Sequence, residues 1–394
     1  MIYLDNNATT KVDEKVLESM MPYFTEEYAN PSSIYDFSKK SSRAIKDARG
    51  VIKDFINASN EKEIIFTSCG SESANTAIKG VLNYNKAKKH IVTTKVEHPC
   101  VLNVYKSLEK QGYKVDYLSV NSNGDLDLEE LDSVINPETA LVSVMWANNE
   151  TGVINPIKKV SEIIKSKNPD TKLFVDAVQV AGKIPMDVQE MGIDLLGISG
   201  HKFHAPKGVG ALYVNSKTMI TPLIIGGHQE RGKRAGTENV PYIVGMAKAA
   251  ELAHDALKYE LTEVKRLRDK LETNLLKNIY NARLNTAVTN RVPNTTNIGF
   301  EYVEGELILL HMSDLGICAS SGSACTSGSL EPSHVLRAMN VPFTAIHGSI
   351  RFSLSRYTTE KEIDFVCEKM PQIIEKITAI SPFQDELAAL KSRK

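Results

Sequence analysis

Gly197-Ile-Ser-Gly-His-Lys-Phe-His-Ala-Pro-Lys-Gly-Val-Gly210 decides how this chain folds. The apolar run Leu195–Ile198 that leads into it reads as a buried strand, and Pro206, Gly208 and Gly210 turn the backbone sharply. Lys202 stands at the end of that strand. A lysine leaving an apolar strand end is set up for desolvation, which favours the neutral amine able to form a Schiff base. A solvated lysine in a polar turn is the plainer alternative, and the neighbouring stretches decide between them.

Upstream lies Lys172-Leu-Phe-Val-Asp176-Ala-Val-Gln179, a second short apolar strand ending in an acid. An acid there faces the crevice where open α/β sheets bind ligands. A Schiff-base lysine paired with an acid on a pyridinium nitrogen is the arrangement of enzymes using pyridoxal phosphate. Asp176 reads alternatively as the N-cap of the following segment.

Working outward, strand and helix patterns alternate. Strands are expected at Ile64–Thr67, Ile91–Thr94, Lys114–Leu118, Leu141–Met145, Leu173–Val175, Leu195–Ser199 and Ala211–Val214. Helices are expected at Asp13–Phe24, Ser33–Ile56, Glu72–Tyr84, Val101–Gln111, Leu128–Val134 and Ile157–Lys165. This is the texture of an α/β fold with a mainly parallel seven-stranded sheet flanked by helices. Beyond Gly236 the pattern becomes α+β: one long helical region Val240–Ile279, strands Asn294–Tyr302 and Ser349–Ser355, and helices Glu306–Leu315 and Glu360–Ile377. We therefore expect a large domain over 13–260, and a smaller one built from the arm 1–12 and residues 261–394.

The chain has 394 residues, is 42% hydrophobic and carries a net charge of −1. That is enough for a sizeable core and gives no global field for nucleic acid or an anionic membrane. Cys69, Cys100, Cys318, Cys325 and Cys367 are odd in number and scattered, with no CxxC pair. They suggest neither a disulfide framework nor zinc. With no secretory pattern at Met1 and no long apolar run, a cytoplasmic protein is expected.

Thr67-Ser-Cys-Gly70-Ser71-Glu72-Ser73 follows a strand and opens a helix, a ready phosphate site in which Gly70 permits close approach and Ser71 adds a donor. Ser199 and His201, flanking Lys202, are candidate donors to the same phosphate. Gln179 is placed to reach a cofactor's phenolic oxygen, Asn149 the ring or the substrate, and His98 the ring face, where an imidazole stacks and moves protons. Asp5–Asn7 and Asn30 read simply as capping or turn residues. Ala319-Ser-Ser-Gly-Ser-Ala-Cys325-Thr-Ser-Gly-Ser-Leu-Glu-Pro332 reads as a mobile polar loop carrying an exposed, reactive thiol. Arg351, on an apolar strand, wants an anion; either a substrate carboxylate or an internal acid supplies it.

Together these stretches resemble the cysteine desulfurases of the NifS/IscS type, within the class V aminotransferase group of fold-type I pyridoxal phosphate enzymes. The likeness runs from Tyr3-Leu-Asp-Asn-Asn-Ala-Thr-Thr10 through Ser199-Gly-His-Lys202 to Ser320-Ser-Gly-Ser-Ala-Cys325 and Arg351-Phe-Ser. It implies a homodimer that takes sulfur from L-cysteine and leaves L-alanine. Lys202 would carry the cofactor and move protons. Asp176 and Gln179 would hold its ring, with His98 stacked on it. Gly70, Ser71, Ser199 and His201 would bind its phosphate, with Thr237 reaching across from the other subunit. Asn149 and Arg351 would orient the substrate. Cys325 would take the sulfur as a persulfide and pass it to a scaffold protein for iron–sulfur cluster assembly, serving there as a transient cluster ligand. Selenocysteine lysis or transamination on the same fold is the alternative, and a sulfur carrier without turnover a more distant one. Cys69 departs from the glycine usual in the family, and Tyr35 and Ser38 from histidine and glycine.

Overall fold

The computed structural model describes residues 1–286, 290–321 and 332–392. Its strands, in chain order, are β1 (Ile2–Tyr3), β2 (Ile64–Thr67), β3 (His90–Thr94), β4 (Lys114–Leu118), β5 (Thr139–Met145), β6 (Lys172–Asp176), β7 (Leu195–Ser199), β8 (Gly210–Val214), β9 (Ala282–Leu284), β10 (Thr295–Phe300), β11 (Ile317–Cys318), β12 (Ser320–Ser321) and β13 (Ser349–Ser353). Strands β2 to β8 form one seven-stranded sheet in the order β2-β8-β7-β6-β5-β3-β4. The pairs β3–β4, β3–β5, β5–β6 and β6–β7 are parallel, whereas β8 runs antiparallel to both β7 and β2. Ten residues separate β7 from β8, too few for a crossover helix, so the chain can only turn back.

Side chains alternate between two cores because a strand has a period of two. Leu173, Val175, Leu196, Ile198 and Tyr213 enter the core on one face, and Phe174, Leu195, Leu212 and Val214 the core on the other. Burial on both faces explains the nearly continuous apolar runs.

A four-stranded antiparallel sheet, β12-β13-β10-β9, has its own core, to which Ile298, Phe300, Ile350 and Phe352 contribute with Leu271, Val366 and Met370 from the helices Lys265–Asn278 and Glu360–Ala379. Leu4 belongs to that core, β1 pairs in parallel with β11, and Asp5 bridges to Ser353. The N-terminal arm thus lies against the second sheet before Thr10 donates its backbone N–H to His201 of the first.

Three expected helices differ in detail. Asp13–Phe24 is divided into Glu14–Met20 and Pro22–Thr25, since Pro22 has no N–H to continue the ladder. The helix expected from Ser33 begins as a 3₁₀ turn at Asp36–Ser38 and becomes α-helical at Lys39–Phe55. The long region after Val240 is interrupted by a π turn at Glu260–Val264, which buries Glu260.

Candidate active site

The parallel strands deliver their carboxyl ends to one edge of the large sheet. There β6 ends in Asp176, beside Met145 of β5 and Gly197 of β7. Asp176 is buried, and its Oδ1 accepts the N–H of Val178 at 3.0 Å. Burial raises its carboxyl above the usual range, while nearby His98 and Lys202 pull the other way. A cationic ring nitrogen is the partner that relieves such an acid.

Strand β7 runs into the 3₁₀ turn Gly200–Lys202. Lys202 is half-buried, and its Nζ donates to the carbonyls of Asn7 and Ala8, both at 2.7 Å. The N-terminal arm therefore holds the amine. His201 Nδ1 lies 3.1 Å from Thr9 Oγ1; burial and the charges of Lys202 and Lys207 push its pKa down to about 4, so the ring is neutral.

His98 caps the helix Pro99–Glu109, its Nδ1 accepting the N–H of Cys100 at 3.1 Å. Burial lowers its pKa, as do Lys202 and His334, against the pull of Asp176. An accepting Nδ1 on a neutral ring leaves the proton on Nε2.

The helix Gly70–Tyr84 starts without a side-chain cap. Its first-turn acid, Glu72, is engaged elsewhere, accepting the N–H of Ser68 at 2.7 Å and two bonds from Arg234 at 2.9 and 3.3 Å. A Cβ on Gly70 would stand 3.0 Å from Val178 Cγ2, so this helix start is packed against the residues after Asp176. On the neighbouring strand end Ser199 Oγ is buried with no hydrogen-bond partner. Helix N–H groups and an unpartnered hydroxyl together fit a phosphate monoester. Three residues beyond Arg234, Thr237 is exposed on the loop preceding the helix Val240–Tyr259.

The other side of the site comes from the second sheet. Arg351 on β13 is 4% exposed; its Nη2 donates to Asp5 Oδ1 at 2.6 Å and its Nη1 to the carbonyl of Asn149 at 3.1 Å. Of the two alternatives left open by the sequence, the internal acid is present and takes one corner of the guanidinium, while the buried Nε has no partner. Asn149 is buried, its carbonyl also accepting Asn7 Nδ2 at 3.2 Å. Gln179 is buried too; its Nε2 donates to the Asn7 carbonyl at 3.1 Å.

Asn7, expected only to cap or turn, joins the two sheets. Its side chain reaches Asn149, Thr295, Asn294 and Lys183, while its carbonyl takes Lys202 and Gln179. Sequence reasoning also passed over Lys183, Glu97 and Glu150. Lys183 sits four residues after Gln179, a helical spacing open to notice. Glu97 precedes His98, is fully buried, and accepts the N–H of Met145 at 2.7 Å and the hydroxyl of Thr94 at 3.0 Å. Glu150 accepts the hydroxyl of Ser333 at 2.5 Å, and His334 Nε2 lies 2.9 Å from the carbonyl of Glu97. Cys325 lies outside the described residues. Ser333 and His334, which follow it in sequence, rest on the two turns that carry Asn149 and His98. Among the described residues no group of acids, histidines and cysteines is arranged to hold a metal ion.

Amine, buried acid, phosphate-fitting helix start and half-satisfied arginine together fit a phosphorylated pyridine and an amino-acid carboxylate. Comparison with known proteins agrees. The family model for aminotransferase class V matches residues 2–366. A cysteine desulfurase from Nostoc sp. is 56% identical over 388 residues, covering 98% of this chain and 96% of its own length. A solved NifS-like protein is 40% identical with a TM-score of 0.90, over 95% of this chain and 99% of that one. A structure described as SspA in complex with cysteine is 35% identical with a TM-score of 0.80, over 91% of this chain and all of that one. The chain belongs to the class V aminotransferase family, in its branch of pyridoxal phosphate-dependent NifS/IscS-type cysteine desulfurases.

Proposed function

We propose that this chain takes sulfur from L-cysteine, leaves L-alanine, and passes the sulfur through Cys325 to an acceptor in iron–sulfur cluster assembly. Two buried polar atoms without partners carry this reading: Ser199 Oγ, on the strand end three residues before Lys202, as donor to a phosphate, and Arg351 Nε, on the second sheet, as donor to a carboxylate.

When bound, pyridoxal phosphate supplies an electron sink for the substrate's α-carbon. Asp176 and Gln179 hold its ring, His98 covers it, and Gly70, Ser71, Ser199 and His201 receive its phosphate. Lys202 Nζ anchors it and moves the α-proton. Arg351 and Asn149 fix the substrate carboxylate, so that the α-carbon faces Lys202. The Cys325 thiolate attacks the substrate sulfur. An S–S bond forms as the C–S bond breaks, and the electron pair stays on carbon, which gains a proton to become the methyl group of alanine. Cys325→Ala should abolish sulfide release from L-cysteine while the loaded protein keeps its visible absorbance. Full release from that variant would contradict the reading.

The protein acts as a homodimer on this reading. Exposed Met21, Phe24, Tyr28 and Ile34, the last 99% exposed, support a surface covered by a second copy, and exposed Thr237 suits a residue that reaches the partner's phosphate. The distinct cores of the two sheets support a large domain over 13–260 and a smaller one from 1–12 and 261–394, joined where Val292 enters the first core and where Val96 and Val120 pack with Val335 and Leu336. Cys69, Cys100, Cys318 and Cys367 are free thiols, and no helix among the described residues is long and apolar enough to cross a membrane; both observations suit a cytoplasmic setting.

A further inference from the structure

Lys183 is 6% exposed, and nothing in the reaction just described uses it. Its Nζ donates to Gln179 Oε1 at 3.0 Å and to Asn7 Oδ1 at 3.2 Å. Asn7 Oδ1 also accepts Asn294 Nδ2 at 3.1 Å, and Gln179 Nε2 donates to the Asn7 carbonyl that takes Lys202 Nζ. Two lysines and one glutamine thus converge on one asparagine of the N-terminal arm.

A glutamine amide presents an acceptor at one corner and donors at the other, and packing alone seldom distinguishes them. A lysine ammonium has donors only. Wherever it sits against a buried amide it selects the oxygen, and the NH₂ must face the opposite way. Even as a neutral amine Lys183 keeps N–H groups for its two acceptors. Its burial pulls its pKa down to about 7, as do the charges of Lys202 and Arg351, and Glu260 on the π turn offsets them.

We propose that Lys183 is a positioning residue: by taking the carbonyl oxygen of Gln179 it fixes the amide with Nε2 aimed at the Lys202 side, ready to donate to the cofactor's phenolic oxygen. The inference rests on the assignment of Gln179 to the cofactor ring. Without Lys183 only the Asn7 carbonyl, which accepts Gln179 Nε2 at 3.1 Å, still opposes a turn of the amide oxygen toward an oxygen of the cofactor, a turn that would replace an attraction by a repulsion. The effect should exceed the loss of a distant charge and should disappear when Gln179 is gone.

The test titrates pyridoxal phosphate into apoprotein and reads affinity and the position of the visible band. A hydrogen bond to a charged group contributes about 1.5–3 kcal/mol, so Lys183→Met should weaken binding about tenfold or more and shift the band. Gln179→Leu should do the same, and the double variant should be no worse than Gln179→Leu alone. Lys183→Arg should recover most of the affinity. Lys183→Gln, which fits Gln179 in either orientation, covers the case in which Lys183→Met does not fold, and should weaken binding in the same direction. Wild-type affinity and band in either variant, or additive losses in the double variant, overturn the proposal. A merely structural lysine would move Tm and leave the band in place. If the wild-type protein and Lys202→Ala take up the cofactor with identical spectra, the cofactor site itself is misassigned, which is a different failure.

Discussion

Arg351 donates to Asp5 across 346 residues of sequence, and the pair ties the guanidinium of the second sheet to the N-terminal arm. Asp5 takes Nη2 at 2.6 Å and the Asn149 carbonyl takes Nη1, which holds the guanidinium plane and leaves Nε for something else. An arginine fixed at two corners is preorganised for an anion at the third.

Arg351→Lys should therefore raise KM for L-cysteine about tenfold or more, because a lysine cannot keep Asp5 and Asn149 and still meet a carboxylate. Cofactor affinity should stay near that of the wild type. Steady-state kinetics beside a pyridoxal phosphate titration check this; an unchanged KM would return Arg351 to a purely structural ion pair.

Ser199→Ala separates folding from binding. Its buried hydroxyl has no partner, so removing it leaves no donor or acceptor stranded, and the Tm of the apoprotein should hold or rise. Pyridoxal phosphate affinity should fall by about tenfold, the value of one hydrogen bond to a phosphate. Thermal denaturation with and without cofactor measures both, and a fall in apoprotein Tm with unchanged affinity would contradict the assignment.

The large sheet was legible because strands buried on both faces leave continuous apolar runs, as in Leu195–Ser199 and Lys172–Asp176, bounded by residues that turn. The candidate site residues at strand ends were proposed from the same signal. Pairings decided by distant chain were not legible. Ile2–Tyr3 is too short to carry a period, and only Ile317–Cys318 makes it a strand. Asn7 looks like any turn asparagine until both sheets close on it, and Lys183 and Glu97 lack the flanking pattern that made Lys202 stand out. The reversal of β8 was implicit in a connection too short for a crossover.

Glu97 gives the stability a pH dependence. Burial pushes its carboxyl from 4.5 up to about 8, with Asp176 adding to the rise against the Met145 N–H and the Thr94 hydroxyl. Between those values the folded chain keeps a proton that the unfolded chain has released, so the contribution is full below 4.5 and lost as pH rises through about 8. Glu97→Gln removes it. The Tm of Glu97→Gln minus that of the wild type should grow as pH rises from about 5 to about 8. A constant or shrinking difference would show that Glu97 is charged in the folded protein.

The loop that carries Thr237 is braced by a buried ion pair. Arg49 meets Glu230 with bonds of 2.6 and 2.9 Å, where Glu230, Arg231 and Gly232 all have positive φ. Removing one partner of such a pair costs about 3–5 kcal/mol, because the other is left buried and unpaired. Arg49→Met should lose stability on that scale in denaturant unfolding, and Arg49→Met with Glu230→Met should recover part of it. A loss below about 1 kcal/mol would mean that solvent reaches the pair.

The proposed function requires one transfer, of the substrate sulfur to Cys325, with Lys202 as the amine that would carry the cofactor. Peptide mass spectrometry of the loaded protein after brief exposure to L-cysteine tests it most directly. The peptide containing Cys325 should gain the mass of one sulfur atom, reversibly on reduction, and Lys202→Ala should gain none. Sulfur carried instead by Cys69 or Cys100, or by no thiol while alanine is still formed, would contradict the account.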